Sequence, residues 1–391
     1  MIIFDKPYVS DISASYAAET KHPVLNNAYA RELSTRFDLN LVDEHTFAKQ
    51  ASSGKRLYAT SENALDWIYA NIEDKELLRG IRLMKDKFAL RTALKPMYPQ
   101  YLFRQVSVSQ LCGVNVAELE MPFILKPSVG FFSVGVYTIT NEQDWRAALA
   151  DIAKNMESWK LRYPASVIGD ANFLIESFIE GDEYAVDVYF DDAGEPVILN
   201  IMHHEFASGD DVKDRLYFTS KNIISNNHAS FTRFFAAMNS IVKVKNFPAH
   251  IELRVMHDGT IIPIECNPIR FSGWCTNEIA YHAFGIRTYA YYLENRRPDW
   301  DSLFDGKDNQ IFSMILLEKP SGIAPGNASY DYDAVQDSFS NVLELRRMEK
   351  PDDPMFAFVF AQTPADDRRE LDRILRADLS TYVRSGQSNR P

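Results

Sequence analysis

The sequence predicts a mixed α/β and α+β chain in three domains, and three patterns carry that expectation. Short apolar runs alternate with helix-like segments over residues 1–84, as in a small α/β unit. Strand, loop, strand and helix patterns follow through residues 85–305 and close on a hairpin around Asp258–Gly259. Residues 306–391 then hold three strand-like runs and a helical segment, which read as an α+β cap.

A chain of 391 residues has room for two or three cores. Its net charge of −12 is spread along the sequence and repels phosphate backbones, which argues against a nucleic-acid partner. Cys112, Cys266 and Cys275 form no CxxC and no disulfide framework, as suits a reducing cytoplasm. The start "MIIFDKPYVS" has no basic leader, and no apolar run approaches the roughly 18 residues of a membrane span. A soluble cytoplasmic protein is expected.

In chain order, "MIIF", "LNLV" and "RLYAT" read as strands and "ENALDWIYANI" as a helix. No GxGxxG accompanies them, so no dinucleotide site is expected there. "KDKFALRTALKPMYP" reads as a short helix, with Phe88 four residues after Met84, Leu94 four after Leu90, and Pro96 and Pro99 as stops. "FILKP" and "GVYTI" flank a loop, and Thr140 and Gln143 have capping-box spacing before a helix. Further strands are expected at "NFLIESFI", "EYAVDVYF" and "EPVILNIMH", then a helix at "SFTRFFAAMNSIV". The tail offers "IFSMILLE", "VLELRRM", "MFAFVFAQ" and a helix in "DDRRELDRILRADLSTYV".

The loop "GFFSVG" has the GxxxxG frame of a phosphate loop, but Val136 and Tyr137 replace the Lys-Ser/Thr of a Walker A motif. The next segment is a strand and not a helix whose N-terminus faces phosphate. Lys126 precedes the glycines, unlike the lysine of a kinase, which follows on a later strand. An ordinary hairpin and a phosphate lid both remain open on this segment alone.

The hairpin "HIELRVMHDGTIIPIECN" is more informative. Pairing about Asp258–Gly259 sets Glu252 opposite Glu265 and His250 opposite Asn267. Ile251, Leu253 and Val255 then share an apolar face with Ile262, Ile264 and Cys266. A non-hydrogen-bonded pair brings Cα atoms to about 4.5 Å, and two carboxylates about 5 Å apart repel by roughly 3 kcal/mol at an effective dielectric of 20. Such an arrangement asks for a cation or a shared proton, and oxygen ligands with one amide suit Mg²⁺. A solvated acidic face is the competing reading.

These segments together resemble the ATP-grasp superfamily over roughly residues 85–290. "FILKPSVGFFSVGVY" is similar to its glycine loop, "FLIESFIEGDEYAVDVYF" to its nucleotide hinge, and "AHIELRVMHDGTIIPIECNPIRFSG" to its metal hairpin. "KDKFALRTAL" resembles the lysine-bearing helix that opens that fold, and residues 1–84 stand where these enzymes carry a pre-ATP-grasp domain. The resemblance implies an ATP-grasp core at 85–305 that uses ATP and Mg²⁺, with Mn²⁺ as an alternative ion. It implies that Glu252, Glu265 and Asn267 ligate metal, and that Lys87 and Lys126 contact the α/β-phosphates. It also implies that Glu176, Ser177 and Ile179 line the adenine hinge and that Glu183 meets the ribose. Arg270 would steady an acyl phosphate, with Lys126 beside it in catalysis. The arginine of such enzymes more often follows E-x-N-P directly, whereas here Ile269 intervenes. Loop amides and Ser133 would cradle phosphate, while Phe131 and Phe132 either exclude water or pack beneath the loop.

His203 and His204 are adjacent on a strand and must point to opposite faces, so at most one reaches the site. Arg215 and Lys221 flank a polar stretch that reads equally as a substrate loop or as a merely solvated one. Cys266 reads as core. The implied reaction is ATP-dependent ligation of a carboxylate to an amine, with small molecules as substrates and a homodimer as an open assembly. A phosphotransferase on the same site and a nucleotide-binding regulator without turnover are the alternatives.

Overall fold

A computed structural model describes residues 1–128, 135–162, 172–207, 214–320, 329–348, 350 and 353–384. Phe131, Phe132 and Ser133 lie outside the described residues, as does most of the glycine loop.

The chain opens with four strands, β1 (Ile2–Ile3), β2 (Pro23–Leu25), β3 (Asn40–Val42) and β4 (Tyr58–Ala59). They pair in parallel in the order β3-β2-β1-β4. Parallel neighbours need crossovers, and helices Asp11–Thr20, Ala28–Leu33 and Glu44–Ala51 lie in the connections. Ser10, Asn27 and Asp43 cap those helices through side-chain bonds to the free N–H groups of the first turn.

A second sheet holds β5 (Phe103–Ser107), β6 (Phe123–Pro127), β7 (Tyr137–Ile139) and β8 (Asn172–Ser177) in the order β5-β8-β6-β7, all antiparallel. Phe123, Leu125, Ile139, Trp145, Ile152 and Phe173 give this lobe a core of its own. The helix Glu142–Arg162 covers it, but its cap sits one residue later than the sequence spacing predicts. Asn141 Oδ1 accepts from Gln143 N (2.8 Å) and Asp144 N (3.0 Å), and Asp144 reaches back to Thr140 N (3.0 Å). The Thr140/Gln143 box is therefore an Asn141/Asp144 box, because Asn accepts at this position at least as well as Thr.

The third sheet uses β9 (Asp182–Phe190), β10 (Pro196–Glu205), β11 (Leu216–Thr219), β12 (Phe247–Val255), β13 (Ile261–Pro268) and β14 (Gln310–Glu318). After the short β15 (Ser329–Tyr330) come β16 (Val342–Arg347) and β17 (Met355–Pro364), and β18 (Val383–Arg384) pairs with β15. The order is β13-β12-β9-β10-β11-β14-β17-β16, antiparallel throughout. Its strands run across residue 305, so the expected cap adds three strands to the sheet of the expected core. Likewise residue 84 falls inside the helix Lys75–Lys85. One hydrophobic cluster extends from Met1 and Ile3 through Val186, Ile251 and Phe271, so the first parallel sheet and the large sheet share a core.

Three other expectations change. The polar stretch after Ala207 contains β11, whose four residues are buried between β10 and β14. The helix expected at "SFTRFFAAMNSIV" begins at Lys221, nine residues before Ser230, with Ser220 capping Ile223 N. The tail helix is shorter than its polar-apolar pattern suggests and spans Arg369–Leu375. No helix among the described residues is long and apolar enough to cross a membrane.

Gly181 joins the small lobe to the large sheet, directly before β9, with φ of +143°. A Cβ built there falls 2.1 Å from the Val255 carbonyl oxygen. Backbone cannot yield as a side-chain tip does, so Gly181→Ala should destabilise by on the order of 3 kcal/mol. Urea unfolding checks this, and an unchanged midpoint would show that the two strands separate freely at that point.

Candidate active site

The junction between the two larger sheets is also where the charged residues collect. Three elements supply them: the helix pair Lys75–Lys85 and Lys87–Leu94, the β6/β8 pair, and the β12/β13 hairpin. Asp86 separates the two helices and caps the second through Phe88 N and Ala89 N. Met84 and Phe88 consequently lie on two short helices and not on one face of a single helix.

The hairpin pairs Glu252 with Glu265, His250 with Asn267 and Ile251 with Cys266, as expected. The route to that register differs. Met256 N bonds Thr260 O and Gly259 takes φ of +83°, giving a three-residue turn at His257–Gly259. That shifts the pairing by one, and a bulge at Ile264 between the 252–265 and 253–263 pairs shifts it back. The bulge has a use. Beside it the Pro263 carbonyl accepts from Arg91, the Ile264 carbonyl from Lys126 Nζ at 3.4 Å, and the Ile261 carbonyl from the Tyr98 hydroxyl at 2.5 Å. Ile264 is half-buried and not a full member of the apolar face, while Cys266 is core, its thiol pushed up to about 12 by burial.

Lys87 Nζ lies 3.0 Å from Glu265 Oε2. Burial works against the Lys87 ammonium, but Glu265 outweighs it and raises the pKa; the Glu265 carboxyl is lowered against its own burial by Lys87 and Lys85. Glu252 faces His250 Nε2 at 3.6 Å, and His250 Nδ1 is held by Asp187 at 2.9 Å. The opposed carboxylates are thus each offset by a cation or imidazole, which sequence pairing alone does not reveal. Asn267 is buried, and its Oδ1 has no hydrogen-bond partner. An orphaned carbonyl oxygen beside two carboxylates fits a hard divalent cation. Among the described residues no group of three His, Cys, Asp or Glu is placed to hold a metal alone. Phosphate oxygens would have to complete the shell.

Lys126 pairs with Glu176, which also takes Arg91 Nε at 3.0 Å. Burial raises the Glu176 carboxyl, yet the two cations outweigh it and hold the pKa at about 2. Burial also pulls the Lys126 ammonium down, with Arg91 and Lys87 adding to it against Glu176. Glu176 therefore anchors a lysine, its carboxylate buried against two cations. Tyr101 hydroxyl bonds the Ser177 carbonyl at 3.2 Å, and Arg254 Nη1 bonds the buried Ile179 carbonyl at 2.8 Å. Glu183 is occupied by His204 Nδ1 (2.8 Å) and by Arg254 Nε (3.0 Å).

His204 is the histidine turned to Glu183, buried and stacked on Tyr217 with ring centroids 4.0 Å apart, while His203 packs on Tyr184 and Phe218. Asp214 joins that group through the Tyr217 hydroxyl at 2.8 Å, its carboxyl pushed up to about 7 by burial. The candidate loop cations are structural instead. Arg215 Nη1 bonds the Ala377 carbonyl at 2.8 Å, and Lys221 pairs with Asp308 at 2.7 Å.

Arg270 follows Ile269, a fully buried β-branched residue at φ +64°, where such side chains are rarely found. Pro248 O and Ala59 N hold its backbone. Arg270 is directed onto Glu62, with Nε at 3.1 Å and Nη2 at 2.7 Å from Oε1, and Lys85 reaches the other oxygen. Glu62, Lys85, Arg91, Asp187, Asp214 and Arg254 carry no motif. The available signals were spacing, with Arg91 four residues after Lys87, and an aspartate inside the apolar run "AVDVYF".

Glu265→Gln should lower the stability of the ligand-free protein by about 2 kcal/mol, because the buried Lys87 ammonium loses its ion pair with this carboxylate. Sequence pairing alone predicts the opposite sign, since it counts only repulsion from Glu252. Chemical unfolding without nucleotide decides: a variant as stable as wild type would mean Lys87 is satisfied elsewhere. A second expectation concerns acid. The Glu176 carboxyl falls from an ordinary 4.5 to about 2, so its contribution is complete above pH 4.5 and fades as pH drops toward 2. That shift is worth roughly 3 kcal/mol. The stability gap between wild type and Glu176→Gln should narrow across that window, and a gap independent of pH would remove the ionic role.

Residues 119–278 match the family described as the ATP-grasp domain. No curated protein sequence matches the chain. Among solved structures, the chain is similar to an L-amino acid ligase from Bacillus licheniformis, with 15% identity and a TM-score of 0.69 over 98% of this chain and 97% of that one. It is also similar to an N5-carboxyaminoimidazole synthase from Aspergillus clavatus in complex with ADP and 5-aminoimidazole ribonucleotide, with 13% identity, a TM-score of 0.63 and 96% and 97% covered. An N5-carboxyaminoimidazole ribonucleotide synthetase from Thermotoga maritima gives 16% identity, a TM-score of 0.61 and 98% of each chain. The chain has the ATP-grasp fold, and residues 119–278 within it match the ATP-grasp domain.

Proposed function

We propose that the protein is an ATP-dependent ligase that joins a carboxylate to an amine through an acyl phosphate. The observation carrying this reading is the meeting of Lys87, Glu265 and the orphaned Asn267 Oδ1 on one hairpin face, with Lys126 bonded beside the same strand. The names of the structural neighbours, an amino acid ligase among them, support a carboxylate and an amine as substrates.

In this reading Lys87 and Lys126 bind the α/β-phosphates, and Ser133 with the loop amides is assigned to the same phosphates. Glu176 and Ser177 fix the hinge, Ile179 flanks the adenine, and Glu183 orients the ribose once His204 and Arg254 share it. Glu252, Glu265 and Asn267 would hold Mg²⁺, or Mn²⁺ in its place, which would supply neutralisation of phosphate charge there. A substrate carboxylate oxygen attacks the γ-phosphorus, the bond to the β-phosphate oxygen breaks, and ADP leaves. The amine nitrogen then attacks the acyl carbon and loses a proton as phosphate departs. Arg270 faces the acyl phosphate and balances its charge. The chain's own contribution is positioning and preorganised charge. We assign the reaction to the cytoplasm, in keeping with three free cysteines, and a homodimer is the assembly to test first.

Pairs of carboxylates and amines, beginning with the amino acids, should release ADP only when both members are present, with the amide seen by mass. A stable phosphorylated product would instead make the protein a phosphotransferase. Mg·ATP binding with no release from any pair would make it a nucleotide-binding regulator.

A further inference from the structure

We infer that Glu62, from the N-terminal parallel sheet, is the positioning residue for Arg270, so that the arginine is aimed by a different sheet from the one that carries it. The inference rests on the ligase reading above for what Arg270 does, and on the geometry for how it is held.

Glu62 lies three residues beyond β4, at the carboxyl end of a parallel sheet, where loops of α/β folds present their functional groups. It is buried, as are Lys85 and Arg270. A carboxylate in such a place is costly unless paired. Here the two cations more than compensate, holding the carboxyl at about 2 against the effect of burial. Apolar residues in place of the trio would serve stability as well, so stability alone does not account for it.

The donor count shows what is aimed. A guanidinium has five N–H groups. Nε and one Nη2 hydrogen go to Glu62, and one Nη1 hydrogen goes to the Phe271 carbonyl at 2.8 Å. That leaves one N–H on each terminal nitrogen, a pair suited to two oxygens of a phosphoryl or carboxylate group. Glu62 thus fixes one edge of the fork while leaving donors for an anion. The backbone acts with it, because Ala59 N bonds the carbonyl of Ile269, whose positive φ turns the chain immediately before Arg270. Both contacts come from β4 and the loop after it.

Lys85 ties the same carboxylate to the helix pair. Two residues on, Lys87 pairs with Glu265. A shift of Glu62 therefore reaches Arg270 through direct hydrogen bonds, and reaches the proposed metal pair without a bond of its own, through the charge of Lys85 and across the helix break at Asp86. The effect of losing Glu62 should fall on phosphoryl stabilisation more than on nucleotide binding.

The test compares thermal stabilisation by Mg·ADP with that by Mg·ADP plus aluminium fluoride, a mimic of the transferring phosphoryl group that needs no known substrate. Wild type should gain from both. Glu62→Gln should keep the Mg·ADP shift within about twofold in affinity and lose most of the added fluoride shift, as should Arg270→Lys. Glu62→Asp, which keeps the charge, should restore part of it, which a merely structural role would not produce. With an active substrate pair, Glu62→Gln should lower kcat by about 10-fold or more with the KM for ATP little changed. A full fluoride shift in Glu62→Gln overturns the inference, as does equal loss of both shifts. If the Gln variant does not fold, the Asp variant decides by the same comparison: an intermediate fluoride shift supports aiming, and wild-type behaviour overturns it. A full fluoride shift in Arg270→Lys would remove Arg270 from phosphoryl contact and spare the nucleotide reading. No Mg·ADP shift in wild type would sink the nucleotide reading itself.

Discussion

The arrangement of the cleft depends on one buried carboxylate, Glu176, shared by Arg91 and Lys126. Its strand belongs to the small lobe, Arg91 to the helix after Asp86, and both cations go on to carbonyls beside the Ile264 bulge of the large sheet. Three elements are therefore locked by one side chain. Burying such charges costs several kcal/mol per ion and returns that only with good geometry. The network is accordingly better understood as a device of register, since a one-residue slip of β13 would leave the two cations without those carbonyls. Stability comes instead from the apolar cluster common to the first and third sheets.

The sheet elements were legible because their physical signals are local. Apolar alternation located β9, β10, β12, β13, β14 and β17, and an Asp-Gly turn located the hairpin. The Glu252–Glu265 pairing was also legible, although through two one-residue shifts that cancel. What was lost lay between elements. β11 was hidden because its four residues sit among polar neighbours and its burial is supplied by β10 and β14. The start of the helix at Lys221 was hidden because "KNIISNNHAS" is weakly apolar and its cap, Ser220, ends a strand and not a loop.

The site residues divide in the same way. Those with a motif, Lys126, Glu252, Glu265, Asn267 and Arg270, were visible from spacing or resemblance. Their partners were not. Glu62 lies 208 residues from Arg270 in sequence, and Arg91 lies 85 from Glu176. No periodicity connects such pairs. The inserted Ile269 could be read as a departure from pattern, but only its positive φ and its bond to Ala59 show that it turns the arginine toward another sheet.

Charge balance explains how an acidic chain could attract a polyanion. The whole sequence carries −12, a field that disfavours nucleotides at long range. Around the β12/β13 hairpin, however, Lys85, Lys87, Arg91, Lys126 and Arg270 face Glu62, Glu176, Glu252 and Glu265, one cation in excess. With salt screening over about 8 Å, the local excess governs within the cleft and the global charge does not. The carboxylates are then more than a tax on binding. Each holds a cation at a fixed place, so that in the proposed reaction an incoming phosphate would meet oriented donors and would not have to order them. This is the preorganisation on which electrostatic catalysis rests, because the protein's dipoles need not rearrange as charge develops.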